Sequence, residues 1–420
     1  GKAMDNTINE VLQFAEENDI KFVRLAFCDI FGTEKNMAIM ADELPRAFKY
    51  GISFDASAVK GFMNVNESDL FLFPDASTIS VLPWSPGGGR ALRMYCNIRY
   101  PDGRPYEGDS RKILEAATRE ATQMGYEVKI GAETEFYLFK LDEHGEPTTI
   151  PHDSAGYMDI PPRDRGEHVR REICLTLEEF EIKPVSSHHE QGPGQNEIDF
   201  RYADALETAD SLITFRSVVE MVAGRNGLHA SFTPKPIPNV SGSGFHINMS
   251  LFRDGGNIFS EESQYRNDAE SFIAGILCRV EEITAFLNPS HNSYERFGSF
   301  EAPKYISWSH QNRSQLIRIP AQGGEYARME LRSPDSTCNP YIAFALLIYA
   351  GLEGIREKAL LPEPVDENLF ENTEAREGLR TLPGNLYEAV EIMRKSSFVR
   401  SVLPESTVDK FVDTVIKRKD

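Results

Sequence analysis

Four short segments of this chain alternate between apolar and polar side chains, and their polar positions are carboxylate, histidine, arginine and small amide or hydroxyl groups. In VKIGAETEFYLF (128–139) a strand places Glu133 and Glu135 on one face, with Ile130, Ala132 and Phe136 on the other. NEIDFRY (196–202) sets Glu197 and Asp199 opposite Ile198 and Phe200. GSGFHINMSLF (242–252) sets His246, Asn248 and Ser250 opposite Phe245, Ile247, Met249 and Leu251. ARMELRSPD (327–335) sets Arg328, Glu330 and Arg332 opposite Met329 and Leu331. Such segments constrain the chain to an antiparallel sheet with one dry face and one polar face. A merely solvated face would give the same alternation. It would favour Lys, Thr and mixed charge, however, and no Lys stands among these polar positions.

The residue types point to chemistry. Glu133 and Glu135 on one strand lie ~7 Å apart at their Cα atoms, close enough to repel unless a cation answers them. HHEQGPGQNE (188–197) adds Glu190 and Glu197 at either end of a Gly/Pro loop. With His246 and Glu330, this makes five carboxylates and one imidazole. That donor set suits two Mg2+ or Mn2+ ions, whereas zinc would want more His or Cys. Arg296, Arg313, Arg318, Arg328 and Arg332 follow within forty residues, and guanidinium groups grip carboxylate and phosphate in bidentate fashion. Metals beside arginines are the apparatus of phosphoryl transfer. No GxxxxGK[ST] loop and no HRD or DFG signature is present.

The chain has 420 residues, which predicts two or three domains or one large domain with a companion. The turn-rich stretch PDGRPYEGDS (101–110) marks a boundary. We divide the chain into residues 4–103 and 104–420. Before the boundary lie the strand-like pieces 22–31, 35–40, 77–83 and 92–99. Asp109 or Ser110 caps a helix with Ile113, Ala117, Ala121 and Met124 on one stripe, ended by Gly125. Strands and helices are then expected to alternate to the end. The apolar run Tyr341–Leu352 is too short for a membrane span and reads as a buried helix. With 45 basic against 65 acidic residues the net charge is −20, which excludes a nucleic-acid coat or a binder of anionic membranes. Gly1, Lys2 and Ala3 before Met4 read as a cloning remnant, and no secretory signal is visible. Five scattered cysteines predict a reduced, cytoplasmic protein whose cysteines serve packing.

Taken in order, these motifs resemble the glutamine synthetases of bacterial type I. The resemblance runs through FDASAVKGF (54–62), NESDLFLFPD (66–75), GAETEF (131–136), HHE and GQNE (188–197), PKP to GSGFH (234–246), NPSHNSYER (288–296), EAP (301–303), NRSQLIRIP (312–320), RMELRSPD (328–335) and NPYIAFALLIYAGLEGI (339–355). It implies an α+β chain, with a small β-grasp-like N-terminal domain and a large catalytic domain built on a curved antiparallel sheet. It also implies ATP-dependent ligation of ammonia to the γ-carboxylate of L-glutamate through γ-glutamyl phosphate, in glutamine biosynthesis and nitrogen metabolism. The implied assembly is a dodecamer of two hexameric rings with active sites between subunits. Carried over by position, Glu135, Glu190 and Glu197 match the ligands of a first metal, and Glu133, His246 and Glu330 those of a second. Arg296, Arg332, Gly242 and Tyr157 match glutamate-binding positions. Arg313, Arg318 and Arg328 match the groups that stabilise phosphoryl transfer. Tyr202, Asn248 and Ser250 match nucleotide contacts, together with Arg318 and Arg328. Asp55, from a neighbouring subunit, matches the aspartate that deprotonates ammonium, and Glu301 matches a flap that shields the acyl phosphate.

Some positions depart from the family pattern. Ser241 replaces an asparagine, Ala58 replaces a serine, and the flap segment 296–303 is one residue shorter. These leave an amine or polyamine as an alternative second substrate, and a non-catalytic scaffold protein as an alternative of another class. Phe370 stands where the adenylylated subclass has tyrosine, so that regulation is not expected. The sequence ends at Asp420, short of the tail that locks rings together in the family.

Overall fold

The computed structural model describes residues 2–62, 69–83, 89–321 and 323–418, with side chains from residue 7 onward. The first three residues of the 66–75 motif lie outside the described residues. The N-terminal part opens with α1 (Lys2–Glu17) and adds α2 (Leu44–Tyr50). Its sheet is made of β1 (Ile20–Cys28), β2 (Glu34–Met40), β3 (Ile52–Asp55), β4 (Asp69–Pro74), β5 (Ser80–Val81) and β6 (Arg90–Arg99). The strand order is β2-β1-β6-β4-β3, with β5 also on β6. The central β1–β6 pair is parallel and the others are antiparallel. The strand expected over 77–83 shrinks to Ser80–Val81. Asp75 accepts hydrogen bonds from the Ser77 amide (3.0 Å) and hydroxyl (2.6 Å), turning residues 76–78 into a single 3-10 turn.

The second part begins with α3 (Ser110–Gln123), whose N-cap Asp109 accepts from the Arg111 amide, and the chain leaves it through Gly125 at φ +96°. Its large sheet comprises β7 (Glu127–Leu141), β8 (Pro147–Pro151), β9 (Pro184–His189), β10 (Gln195–Phe200), β11 (Ala203–Asp204), β12 (Leu228–Ser231), β13 (Phe245–Arg253), β14 (Gly256–Asn257), β15 (Trp308–Ser309), β16 (Ile317–Arg318) and β17 (Met329–Leu331). The main path is β15-β16-β17-β13-β7-β10-β9. The four alternating segments of the sequence are therefore β17, β13, β7 and β10, four neighbours in space.

Their apolar faces are dry: Ile130, Ala132, Phe136, Ile198, Phe245, Ile247, Met249, Met329 and Leu331 are all fully buried. They pack under α5 (Ala205–Arg225) and α7 (Pro340–Arg356) within one core, together with α4 (Glu167–Glu179) and α6 (Arg266–Leu287). Phe215 of α5 meets Phe200 edge-on at 4.8 Å and Phe136 at 6.4 Å. Such aromatic pairs contribute about 0.5–1.5 kcal/mol each beyond burial.

Beyond β17 the expected alternation stops. Among the described residues the regular elements that follow are helices, α7, α8 (Leu386–Arg394), α9 (Ser397–Val402) and α10 (Glu405–Val415), with irregular chain and one 3-10 turn between α7 and α8. The reason is visible in α7, which is apolar around nearly its whole circumference and capped by Asn339, whose side chain accepts from the Tyr341 amide at 3.0 Å. A helix of that composition belongs inside a core. Among the cysteines, Cys28, Cys96 and Cys338 are buried, whereas Cys278 is exposed, so a packing role does not extend to it.

A buried guanidinium joins the two parts. Arg111 of α3 is 4% exposed and donates from Nε and Nη2 to Asp210 of α5 (both 2.9 Å), while Nη2 also reaches Asp75 of the N-terminal part at 3.3 Å. Asn339 adds a bond from Nδ2 to the Ile30 carbonyl at 3.2 Å. Removing one partner of such a buried pair costs about 3–5 kcal/mol, because the other charge stays buried and unanswered. We expect Arg111→Met to lower the urea midpoint by a corresponding amount, whereas Arg104→Met, at the exposed Asp102 pair, should leave it within error. Equal midpoints for the two variants would contradict this account.

Candidate active site

The polar faces of β17, β13, β7 and β10 line one side of a cavity of about 340 Å3. Pairing register decides which side chains meet. On β7, Glu133 stands opposite Asp199 of β10 on one side and His246 of β13 on the other. Glu135 stands opposite Glu197, which in turn faces His188 of β9. Asn248 stands opposite Glu330 of β17. The cavity is lined by Glu133, Glu135, Glu190, Glu197, His246 and Glu330 together with Gly242, Tyr157, Arg296, Glu301, Arg313, Arg318 and Arg332.

The carboxylates fall into two electrostatic groups. Glu330 is fully buried and pairs with Arg318 Nη2 at 3.0 Å and closely with Arg332 Nη1, with His246 Nδ1 3.7 Å away. Glu133 takes His246 Nδ1 at 3.1 Å and Asn248 Nδ2 at 3.3 Å. Burial alone would raise its pKa, but the His246 and Asn248 contacts pull it down to about 2. Glu133, His246 and Glu330 hold ligand atoms within 4.8 Å of one another.

The second group has no arginine partner among the described residues. Glu190 meets His188 Nε2 (3.0 Å) and accepts from the Gln191 amide (3.0 Å), and Glu197 lies 3.6 Å from that same imidazole nitrogen. Burial, and then the charge of Glu190, push Glu135 up to about 7. Burial and neighbouring Asp199 and Glu135 push Glu197 up as well. Burial and Glu133 bring Asp199 to about 6. Crowded acids that no guanidinium neutralises are a donor set for hard divalent cations, which take oxygen ligands. The residues present therefore fit the expected metals.

The remaining expected positions are distributed around this centre. Arg296 is buried and donates to the carbonyls of Ser333 (2.7 Å) and Arg332 (2.8 Å), which fixes its aliphatic stem beside Gly242 and its guanidinium beside Gly244. A Cβ at Gly242 would stand 2.4 Å from the Pro234 carbonyl, so only glycine allows this approach. Glu301 is exposed, and with Phe300 it adopts left-handed backbone (φ +65° and +49°). Arg332 Nη2 reaches the Glu301 carbonyl at 3.4 Å. Non-glycine residues in that region are strained, a feature of segments that switch or clamp. Asn248 and Ser250 are buried on β13, and Arg328 Nε donates to Asn248 Oδ1 at 3.1 Å. Tyr202 stacks on Phe252 at 6.3 Å and meets Tyr326 edge-on. These four expected nucleotide positions lie outside the cavity lining. Asp55 ends β3, is exposed, and holds the Ser57 amide and hydroxyl. It does not line the cavity of its own chain.

The cavity also contains residues that the sequence reading left out of the site. Asp199 shares the acidic face with Glu197, and alternation alone would have included it. His188 lies two residues before Glu190 on the same strand face, beneath the edge of Tyr157 at 5.6 Å. Gln195, which lies behind the lining, gave no signal. It is fully buried and donates from Nε2 to the Gly242 carbonyl (2.9 Å) and Glu135 (3.2 Å).

Comparison with known proteins agrees with this arrangement. Residues 19–101 match the family model "Glutamine synthetase, beta-Grasp domain", and residues 107–420 match "Glutamine synthetase, catalytic domain". Glutamine synthetase of Clostridium saccharobutylicum is 44% identical over 97% of this chain and 93% of its own length. That of Methanosarcina mazei is 46% identical over 97% and 92%. Among solved structures, GmaS in complex with ADP superposes with a TM-score of 0.87 at 28% identity, covering 97% of this chain and 94% of its own. Plasmodium falciparum glutamine synthetase gives 0.86 at 23% identity over 98% and 95%, a likeness of fold. The chain belongs to the glutamine synthetase family, the ATP-dependent glutamate–ammonia ligases.

Proposed function

We propose that the cavity over β7, β10, β13 and β17 makes L-glutamine from glutamate, ammonia and ATP through γ-glutamyl phosphate. The observation that carries this reading is the meeting of uncompensated carboxylates and fixed arginines in one cavity. A division of the chain into residues 4–103 and 104–420 goes with it. Two divalent ions, Mg2+ or Mn2+, would sit at Glu135, Glu190 and Glu197 and at Glu133, His246 and Glu330. When bound they supply charge neutralisation for the phosphates and the acyl phosphate. Arg296 and Arg332 hold the carboxylate of glutamate beside Gly242, and Tyr157 closes that side. Arg313 and Arg318 neutralise charge on the phosphoryl group in transfer, where preorganised donors lower the barrier most. Tyr202, Asn248, Ser250 and Arg328 receive the nucleotide. Glu301 covers the intermediate and keeps water from it. Asp55 of a neighbouring subunit takes a proton from ammonium. Such sites lie between chains, in keeping with a dodecamer of two hexameric rings. A cytoplasmic location agrees with the chemistry, and among the described residues no helix is long and apolar enough to cross a membrane.

Two other readings fit less well. An amine as second substrate would leave the relatives at 44% and 46% identity, both glutamine synthetases, without explanation. A non-catalytic scaffold would retain crowded, buried acids at a cost in stability and with no use for them.

Phosphate release measured with glutamate, ATP and Mg2+ tests the assignment. Ammonium should support turnover better than any amine of a methylamine-to-putrescine panel; a preference for an amine would refute the ammonia reading. Glu330→Gln keeps the side-chain volume but halves its acceptor capacity, and should lower phosphate release by about 10²-fold or more. Normal release from that variant would sink the second metal site. Asp55→Ala should impair ammonium-dependent turnover more than formation of the acyl phosphate, trapped with hydroxylamine as the hydroxamate. Equal losses would remove Asp55 from proton transfer.

A further inference from the structure

Between β8 and α4 the chain runs through residues 152–166, which contribute only Tyr157 to the chemistry above. This segment is nevertheless tied to the loop that joins Glu190 to β10. The side chain of Asp153 is 3% exposed, and all its contacts are to N–H groups. Oδ1 accepts from His189 Nε2 (2.8 Å), the Gly194 amide (2.8 Å) and the Ala155 amide (3.2 Å). Oδ2 accepts from the Arg165 amide at 3.0 Å. His189, whose side chain is fully buried, turns its other ring nitrogen to the Glu190 carbonyl at 2.6 Å. One carboxylate thus grips both ends of the loop: Glu190 through His189, and Gly194 directly. The Met158 amide returns a bond to the His189 carbonyl at 3.0 Å, next to Tyr157.

A second buried pair supports the same stretch. Asp164 pairs with Arg170 at 2.6 Å, and Arg170 Nη1 donates to Asn196 Oδ1 at 2.6 Å, one residue before Glu197. Asp153, Asp164 and His189 lie close enough together to hold an ion. Oδ1 of Asp153 is already filled by three N–H donors and Oδ2 holds a fourth, however, and Asp164 is paired with Arg170. The cluster is a brace for its neighbours. Burial would raise the pKa of Asp153, but His189 and the Arg165 and Gly194 amides bring it to about 2, so the brace is anionic at any working pH.

We infer that Asp153 is a positioning residue for the first cation site: through His189 and Gly194 it fixes the separation of Glu190 and Glu197, and with it the affinity of that site. The inference rests on the proposed ligand role of Glu135, Glu190 and Glu197. Outer partners of this kind typically contribute 10–100-fold in metal affinity.

The test is Mn2+ binding to the whole, substrate-free protein, followed by the paramagnetic resonance signal of free Mn2+. Thermal midpoints are recorded in chelator. Asp153→Asn should weaken one class of Mn2+ site by roughly 10–100-fold and leave the other class nearly unchanged, whereas the loss of a buried charge alone would lower the midpoint in chelator without separating the two classes. His189→Gln cuts the same path at the next residue and should weaken the same class, which keeps the test decisive if Asp153→Asn does not fold. Glu197→Ala is the control. If it abolishes one class while Asp153→Asn and His189→Gln leave both intact, or only lower the midpoint, the positioning role is overturned and the ligand reading stands. If Glu197→Ala itself leaves both classes intact, the ligand reading falls and the inference falls with it.

Discussion

Like charges can be gathered on one face of a sheet only if something else fixes the strands in register. Here that is the dry face. A slip of β13 by one residue against β7 would send Ile247 toward the cavity and His246 into the core. The fully buried apolar positions of four adjacent strands forbid it. The acidic face is therefore held together by the hydrophobic effect acting on its reverse side, and each carboxylate owes its place to an apolar neighbour one residue away. Helices α5 and α7 contribute no proposed ligand, yet they set the geometry of every one on these strands.

Within that frame the charges are answered in two ways. Glu330 receives two guanidinium groups and Glu133 receives His246. Glu135, Glu190, Glu197 and Asp199 receive amide donors, His188 and one another. The second group is where folding leaves negative charge unanswered, and the raised pKa values of Glu135, Glu197 and Asp199 follow from burial first and mutual repulsion second. Arginines answer charge where the protein alone must hold its shape. Cations are expected where substrate must share the ligands. The total of −20 thus says little about the site, whose local balance is set by a handful of pairs.

Much of this was legible because alternation is a local property. The faces of β7, β10, β13 and β17 follow from period two alone. Their adjacency does not, since β13 and β17 pair residues about eighty positions apart, and nothing in composition announces such a pairing. The error at 77–83 has a local cause: Asp75 outbids the sheet for the Ser77 amide. The error beyond β17 came from carrying an alternation past the point where the sequence turns uniformly apolar in α7. Asp153 and Gln195 were invisible for a different reason. Their value lies in partners thirty-six and forty-seven or more residues away, and an isolated Asp or Gln in a loop carries no mark of that.

One expected residue remains apart from the rest. Asp55 closes β3 on the N-terminal sheet, exposed and turned to its own Ser57, while the cavity lies over the other sheet. If it serves a cavity at all, that cavity belongs to another chain. Such a contact joins the N-terminal part of one copy to the catalytic part of the next, two different surfaces. Repeated head to tail, contacts of that kind give a ring where the rotation closes and an open filament where it does not. A role for Asp55 in ammonium chemistry therefore presupposes an assembly of copies, because each copy would complete a neighbour's site while its own is completed by another.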